Sequence, residues 1–489
     1  MLSWEWVILG VYGLSMTVIF LYSLVQLSLL IRYRRQKQSS AKTPILKTEY
    51  PEVLIQLPVF NEYYVVERLV DAAANLDYPS DKLKIELLDD STDDSFLLGE
   101  KRVAYWKSRG VQIEHIKRPE RTGFKAGALQ YSLNRSDAPF IAIFDADFVP
   151  SPDFLKKSLP QFDDPEIGMV QTRWGHLNRD YSLLTRVQAF ALDAHFTVEQ
   201  TGRNIGNHYI NFNGTAGVWR RTCITDAGGW SAETLTEDLD LSYRAQLKGW
   251  KFTFLEDLVS PAELPAEMNA LKNQQYRWNK GAAECAVKHL RTVFTRKNIP
   301  FSTRIHALFH LGNSSIFIWI VLCAILSIPL LALKAQHPEY RALFTTGALL
   351  LLSFFILAGF YYTSYRRADV SRSRVAFLWL YPAFLSLSMG MSVHNASAVL
   401  QGYAGRKTPF IRTPKWDLIG NNGSWVNKKY LSVKVSLLTW IEGILALYFT
   451  GALAFGIALN EWGFVPLHAM LVFGFGSVFL YSVKHSRKR

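Results

Sequence analysis

The chain has 489 residues, of which 14% are aromatic, and a mean hydropathy of +0.05, enough for one large globular domain and a membrane part. A net charge of +13 would suit nucleic acid or an anionic membrane surface. The basic residues cluster beside apolar runs, at 32–37, 366–374 and 484–489, which selects membrane lipids and sets nucleic acid aside. Three cysteines without paired spacing (Cys223, Cys285, Cys323) exclude a disulfide framework and a zinc site.

Residues 4–31 are almost wholly apolar, longer than the roughly 20 residues a spanning helix needs. No basic residue precedes them and no small-residue cleavage site follows, so residues 1–35 are expected to be a retained anchor and not a signal peptide. Glu5 lies before the run, and Arg32, Arg34, Arg35 and Lys37 lie after it. The positive-inside bias therefore places the N-terminus outside and the following chain in the cytoplasm. Residues 36–49 read as a polar linker.

From 50 to about 300, strand and helix patterns alternate with short connections, which predicts a mainly parallel sheet with right-handed crossovers. Strands are expected at 53–57, 83–88, 111–116 and 140–144. The second runs into Asp89-Asp90 and the fourth into Asp145-Ala146-Asp147. Ligands of open α/β sheets sit beyond the carboxyl ends of strands, so these carboxylates face one crevice. Asp145 and Asp147, alternate residues on an extended chain, share a face and can hold one hard cation that carries a diphosphate. A lone D-x-D is often only a polar turn, and its neighbours decide the matter. No G-x-G-x-x-G follows the first strand, which excludes a dinucleotide-binding fingerprint.

Between the two acidic strand ends, residues 118–127 form a loop that opens a helix. Lys125 near that helix start suits a phosphate, although an ordinary helix-start loop fits equally well. Asn213-Gly214-Thr215 form a small-residue turn after an apolar run, and Thr236 is placed to cap a helix that carries Glu237 and Asp238 in its first turn. Gln274, Arg277 and Trp278 stand at i, i+3 and i+4. One helical face thus carries an amide, a guanidinium for phosphate and an indole platform for a sugar.

Taken together, Asp89-Asp90, D-A-D at 145–147, T-E-D at 236–238 and Q-Q-Y-R-W at 274–278 follow the order found in family 2 processive membrane glycosyltransferases. L-D-D-S-T-D-D (88–94), F-N-G-T-A-G-V-W-R (212–220), D-A-G-G-W (226–230) and K-G-W-K-F (248–252) resemble the cellulose-synthase-like A and C members, the mannan and glucan synthases. The resemblance spans the soluble domain and implies an α/β GT-A-like glycosyltransferase domain at 50–300 joined to an α-helical transmembrane bundle. It implies that Asp89, Asp90, Lys125, Asp145 and Arg277 bind the nucleotide-sugar donor, and that Asp145 and Asp147 hold Mg²⁺ or Mn²⁺. By the same likeness Asp238 is the base, and Asn213, Gly214, Thr215, Gln274 and Trp278 receive the acceptor. Cellulose synthases proper usually carry His after D-x-D. Phe148 stands there, which argues against that branch and leaves UDP-glucose and GDP-mannose both open as donors.

In the membrane part, 301–489, spans are expected near 308–333, 342–365, 435–459 and 462–483. If 375–400 also crossed, the basic residues from Arg406 to Lys429 and the basic tail would face outside. This segment, with Pro382, His394 and Asn395, therefore reads as interfacial or re-entrant. His306 and His310 lack the glutamate of a metalloprotease motif and are expected to pack or cap. Residues 405–415 read as a juxtamembrane basic loop that grips anionic lipid. They also resemble the F-x-V-T-x-K gating loop of processive synthases, through Phe410, Thr413 and Lys415, with Arg412 in place of Val. Nothing after the last apolar run suggests a regulatory domain.

The expected protein is an inverting glycosyltransferase in the plasma (cell inner) membrane, its catalytic domain cytoplasmic. It would extend a β-linked glycan through the bundle. Transfer of one sugar to a lipid acceptor is the rival within enzymes, and a non-catalytic scaffold the rival outside them. A transporter is disfavoured, because too few spans carry intramembrane charge.

Overall fold

A computed structural model describes residues 3–35, 50–369, 371–431 and 435–487; the expected linker at 36–49 lies outside the described residues. The domain after residue 50 is built on one seven-stranded sheet. Its strands are β1 (Val53–Val59), β2 (Leu83–Asp89), β3 (Ile113–Ile116), β4 (Phe140–Ile143), β5 (Ile167–His176), β6 (Gly217–Arg220) and β7 (Lys251–Ala262). They lie in the order β3-β2-β1-β4-β6-β5-β7, and only β6 runs antiparallel, to both β4 and β5. This is the GT-A-like arrangement, and its expected parallel half is β3-β2-β1-β4.

Side-chain alternation sorts the sheet onto two cores. Ile55 and Leu57 pack with Val66, Leu69 and Val70 on one face, while Ile141 and Ile143 pack with Leu129 and Trp219 on the other. Gln56 and Glu86 point into the second face and are bridged there by Ser132. Gln56 donates to Ser132 Oγ at 2.8 Å, and Ser132 donates to Glu86 Oε2 at 2.5 Å. The register places Val53 beside both Leu83 and Phe140, so the carboxyl ends of β1, β2 and β4 share one edge.

The helix Met268–Thr295 leads from this domain to the membrane part. Its capping Glu267 accepts from the N–H groups of Asn269 (2.9 Å) and Ala270 (2.8 Å), two donors that a helix start leaves open. Five described helices are long and apolar enough to cross a membrane: Trp4–Arg35, Asn313–Gln336, Ala342–Ala368, Leu437–Ala458 and Val465–Ser486. The chain is a multi-pass membrane protein. The expected span from 308 begins later than the apolar run does. An amphipathic helix, Phe301–Leu311, carries His306 and His310 into buried contacts, and Gly312 separates it from the spanning helix. The segment expected at 375–400 forms two helices, Arg374–Gly390 and Ser392–Tyr403, bent by 50°. The first crosses Val465–Ser486 so closely that a Cβ on Gly390 would lie 2.3 Å from the Gly474 carbonyl oxygen.

Candidate active site

A cleft opens at the carboxyl edge of the sheet. Asp90 stands just beyond β2, Asp145 and Asp147 beyond β4, and Glu263 beyond β7. The turn at 213–214, the start of helix Glu237–Leu247 and one face of Met268–Thr295 close the far side. Residues 410–415 cover it. Of the residues singled out from sequence, Asp90, Lys125, Asp145, Asp147, Asn213, Gly214, Asp238, Gln274, Arg277, Trp278, Phe410, Arg412, Thr413 and Lys415 line this one cleft.

Two do not. Asp89 is fully buried behind the wall, where its carboxylate takes the Ser91 N–H at 2.8 Å and His115 Nε2 at 3.0 Å. Thr215 is also buried, and its Oγ1 accepts the Asp145 N–H at 2.8 Å. Adjacent strand residues point to opposite faces, so only one of Asp89 and Asp90 can reach the ligand side. Thr236 occupies the cap position, yet its hydroxyl lies against Cys285 Sγ at 3.5 Å and caps nothing.

Charge in the cleft is balanced in pairs. Asp90 is gripped by Arg118, whose Nε donates at 3.0 Å. The Lys125 ammonium donates to Asp145 and, at 2.9 Å, to the Gly214 carbonyl. Burial works against that ammonium, but Asp145 and Glu237 outweigh it and hold its pKa above the ordinary lysine value. Lys415 donates to Asp147 Oδ2 at 2.6 Å and to the Glu263 carbonyl at 2.5 Å. Gly214 has φ +82°, and a Cβ there would stand 3.0 Å from Asp238 Oδ2 and 3.4 Å from Lys125 Nζ, so both backbone and space require glycine. Asn213 is fixed from behind: Gln200 Nε2 donates to its Oδ1 at 2.9 Å, and its Nδ2 meets His195 Nε2 at 3.0 Å.

Asp238 is the carboxyl group whose affinity for protons is most useful here. Burial first, then the neighbouring Glu237 carboxylate, push its pKa up to about 7, against the pull of Lys125 and backbone N–H groups. A carboxylate with that poise can accept a proton from a hydroxyl near neutral pH.

The covering loop is docked onto the cleft. Phe410 stacks on Phe124 with centroids 5.6 Å apart, and the Arg277 guanidinium lies 4.6 Å from the Phe410 centroid. Arg277 also donates to Thr413 Oγ1 at 2.8 Å. The Glu263 carboxylate accepts the N–H groups of Trp416 (2.8 Å) and Leu418 (3.1 Å), and Trp416 is fully buried. Glu62, Arg121, Trp174 and Glu263 also line the cleft, and sequence reasoning missed all four. Glu62 and Glu263 follow strands β1 and β7 at the same edge as the recognised aspartates, and that position was the available signal.

A divalent cation fits this donor set. Among the described residues no group of three or more His, Cys, Asp or Glu forms a closed metal cage. Mg²⁺-type ions commonly take one or two carboxylates and complete their shell with water and substrate phosphates, as Asp145 and Asp147 at the cleft wall allow.

Residues 51–281 match the family described as glycosyltransferase like family 2. Glucomannan 4-beta-mannosyltransferase 2 of Arabidopsis thaliana is 36% identical over 380 residues, covering 75% of this chain and 68% of the relative. The chain belongs to the family 2 glycosyltransferases. Glucomannan 4-beta-mannosyltransferase 1 of Oryza sativa subsp. japonica is 33% identical over 420 residues, 83% of this chain and 77% of that one. Among solved structures, a mannosyltransferase of Pyrobaculum calidifontis in complex with GDP-Man and Mn²⁺ superposes with a TM-score of 0.54 at 19% identity, over 81% of this chain and 99% of that one. That likeness is one of fold. This family 2 glycosyltransferase therefore pairs a GT-A-like domain with long apolar helices.

Proposed function

We propose that this family 2 glycosyltransferase inverts the anomeric centre of a hexose as it moves the sugar from a nucleoside-diphosphate donor to a β-linked glycan, with a divalent cation bound. The observation that carries the reading is that Asp238 shares one cleft with Asp145, Asp147, Lys125, Arg277 and the indole of Trp278. Asp90 and the β1 edge take the nucleoside, while Lys125 and Arg277 face the diphosphate. The acceptor sugar lies on Trp278, beside Gln274, Asn213 and Gly214. Its free hydroxyl gives its proton to the Asp238 carboxylate as its oxygen bonds to the sugar carbon, and the bond from that carbon to the diphosphate oxygen breaks on the opposite side. A cation held by Asp145 and Asp147 would offset the diphosphate charge. Lys125 and Arg277 stabilise the same leaving group through charge-assisted hydrogen bonds. Closure of residues 410–415 keeps water out.

The names of the relatives support a mannosyl donor and a glucomannan acceptor, and the GDP-Man and Mn²⁺ complex of the structural neighbour supports Mn²⁺ as the first cation to test. On this reading the catalytic domain, 50–300, is cytoplasmic and the bundle, 301–489, passes the product across the plasma membrane. Purified protein offered a panel of nucleotide sugars with Mn²⁺ tests it. Linkage analysis is expected to find a β-linked hexan. A product extractable into organic solvent would redirect the acceptor to a lipid, and no transfer from any donor would refute the assignment.

A further inference from the structure

The helix that starts at Leu183 widens for one turn, His195–Glu199, into i→i+5 bonding, a form found mostly at functional sites. His195 from this turn and Gln200 just after it both reach the Asn213 side chain, while Gln171 Oε1 accepts the Asn213 N–H at 2.9 Å. These bonds leave one arrangement of protons. Gln200 Nε2 also donates to the Asn211 carbonyl at 3.2 Å, and a carbonyl oxygen can only accept, so the amide nitrogen of Gln200 faces the turn. Asn213 Oδ1 therefore accepts from Gln200, and Asn213 Nδ2 donates to His195 Nε2 at 3.0 Å. An imidazole that accepts at Nε2 carries its proton on Nδ1, and there the Glu199 carboxylate lies 3.1 Å away. Burial works against the Glu199 charge, but His195 and Arg203 outweigh it and hold the pKa below the usual carboxylate range. Arg203 donates to Glu199 Oε1 at 3.1 and 3.2 Å and to the His306 carbonyl at 3.2 Å, so the carboxylate is anchored on its far side.

We infer that His195 is a positioning residue for the acceptor: with its proton on Nδ1, it fixes the Asn213 amide so that the second N–H of that amide is presented to an oxygen of the acceptor sugar. The inference rests on the reading above, in which an acceptor glycan lies against this turn. Asn213 and Gly214 line the cleft, and a Cβ on Gly214 would stand 3.0 Å from Asp238 Oδ2, so the turn and the base are neighbours. An unsupported Asn side chain turns freely and offers its carbonyl oxygen as readily as its N–H groups. Here the oxygen is spent on Gln200 and one N–H on His195, and what remains for a ligand is a donor. A sugar hydroxyl that accepts this N–H keeps its own proton free for the Asp238 carboxylate, the division of roles that transfer needs. A reversed amide would set its carbonyl oxygen in competition with Asp238 for that proton.

Two substitutions separate the ring's nitrogens. The side-chain oxygen in His195→Gln stands as many bonds from Cβ as Nε2 does and can accept from Asn213. The side-chain nitrogen in His195→Asn stands as Nδ1 does and can donate only toward Glu199. Purified full-length protein is given GDP-mannose, Mn²⁺ and soluble β-mannan oligosaccharides, and KM is measured for donor and acceptor separately. His195→Asn is expected to raise the acceptor KM on the order of 10-fold, the contribution of one hydrogen bond, at unchanged donor KM. Unchanged calorimetric binding of GDP with Mn²⁺ would show that the variant is folded. His195→Gln is expected to bring the acceptor KM back close to wild type. The reverse order, with His195→Gln impaired and His195→Asn normal, would assign the ring to Glu199 and overturn the inference. So would a wild-type acceptor KM in both variants, or an equal loss for donor and acceptor in both, the mark of a purely structural role. If the wild type itself transferred hexose to no oligosaccharide from GDP-mannose or UDP-glucose, the proposed function would fall and the inference with it.

Discussion

Asp238 carries a prediction that separates chemistry from binding. Asp238→Asn is expected to lower turnover on the order of 10²–10⁴-fold, the usual contribution of a positioned base, while Mn²⁺-dependent nucleotide binding stays near wild type. Turnover by the wild type should rise with pH through about 7 as that carboxyl loses its proton. Stability should move the other way. A carboxyl whose folded pKa lies above its unfolded value contributes most below about 4, and the contribution is lost as pH rises toward 7. Melting in detergent should therefore show Asp238→Asn gaining on the wild type between pH 4 and 7, and a constant difference across that range would contradict the burial argument. At this scale much was legible in the sequence. The carboxylates of D-A-D and T-E-D reach the cleft as their positions implied. Asp89 does not, although the two-residue period of a strand already allowed only one of the Asp89-Asp90 pair to do so. Glu62 and Glu263 stayed hidden because single acids in loops form no pattern, and their partners at 412 and 416–418 lie far along the chain.

Two elements set how the cleft is closed, and each can be loosened without touching the reacting groups. The covering loop hangs on the Glu263 carboxylate, whose oxygens take two backbone N–H groups. Glu263→Gln leaves one of those N–H groups facing an amide donor, a loss of about 1–3 kcal/mol. The expected result is a higher KM for donor, a smaller change in saturated turnover, and faster protease cleavage between 405 and 418. Unchanged KM and unchanged cleavage would detach Glu263 from the loop. The helix Met268–Thr295 is fixed to the bundle by Lys272, which donates to Glu442 Oε2 at 2.5 Å and to Thr439 Oγ1 at 3.1 Å on the helix Leu437–Ala458. Both charges are buried, and removing one partner is expected to cost about 3–5 kcal/mol through the charge left behind. Glu442→Leu alone should lower yield and melting temperature sharply, and adding Lys272→Met should restore most of the loss. If the double variant were no better than the single one, the pair would not be coupled. Amphipathic spacing had revealed the cleft face of this helix, whereas the pairing of Lys272 with Glu442 is non-local and leaves no trace in either stretch. Strand β6 was missed for a similar reason: four residues after a glycine-rich turn carry too short a pattern to announce an antiparallel insertion.

Across the whole molecule, the ends of the long helices sort into two groups. At one end Glu5 lies 3.5 Å from His337, and Lys334 pairs with Glu461, so the start of the first helix and two inter-helix turns come together. At the other end Tyr33 and Arg367 both donate to Glu256 of the catalytic domain, at 2.8 and 2.6 Å, and His485 Nδ1 accepts the Met268 N–H at 3.1 Å. The bent pair Arg374–Gly390 and Ser392–Tyr403 enters and leaves at this second end. Arg372, just before it, donates to Asp193 at 3.0 Å, and Thr408, just after it, accepts from Lys280 at 2.6 Å. With both ends on the catalytic side, the segment is proposed to re-enter and not to cross, the reading that the positive-inside bias also favours. The expected topology is five crossings, with the N-terminus outside and the catalytic domain, residue 407 and residue 487 inside. Single cysteines placed in a background lacking Cys223, Cys285 and Cys323 test it in intact cells. Glu339→Cys and Asn460→Cys should react with an impermeant thiol reagent, and Lys407→Cys and Arg487→Cys should react only after permeabilisation. Labelling at 407 in intact cells, with 487 still shielded, would mean that the bent pair crosses. The covering loop would then lie across the membrane from the tail, and the shared side inferred from Arg372 and Thr408 would be wrong.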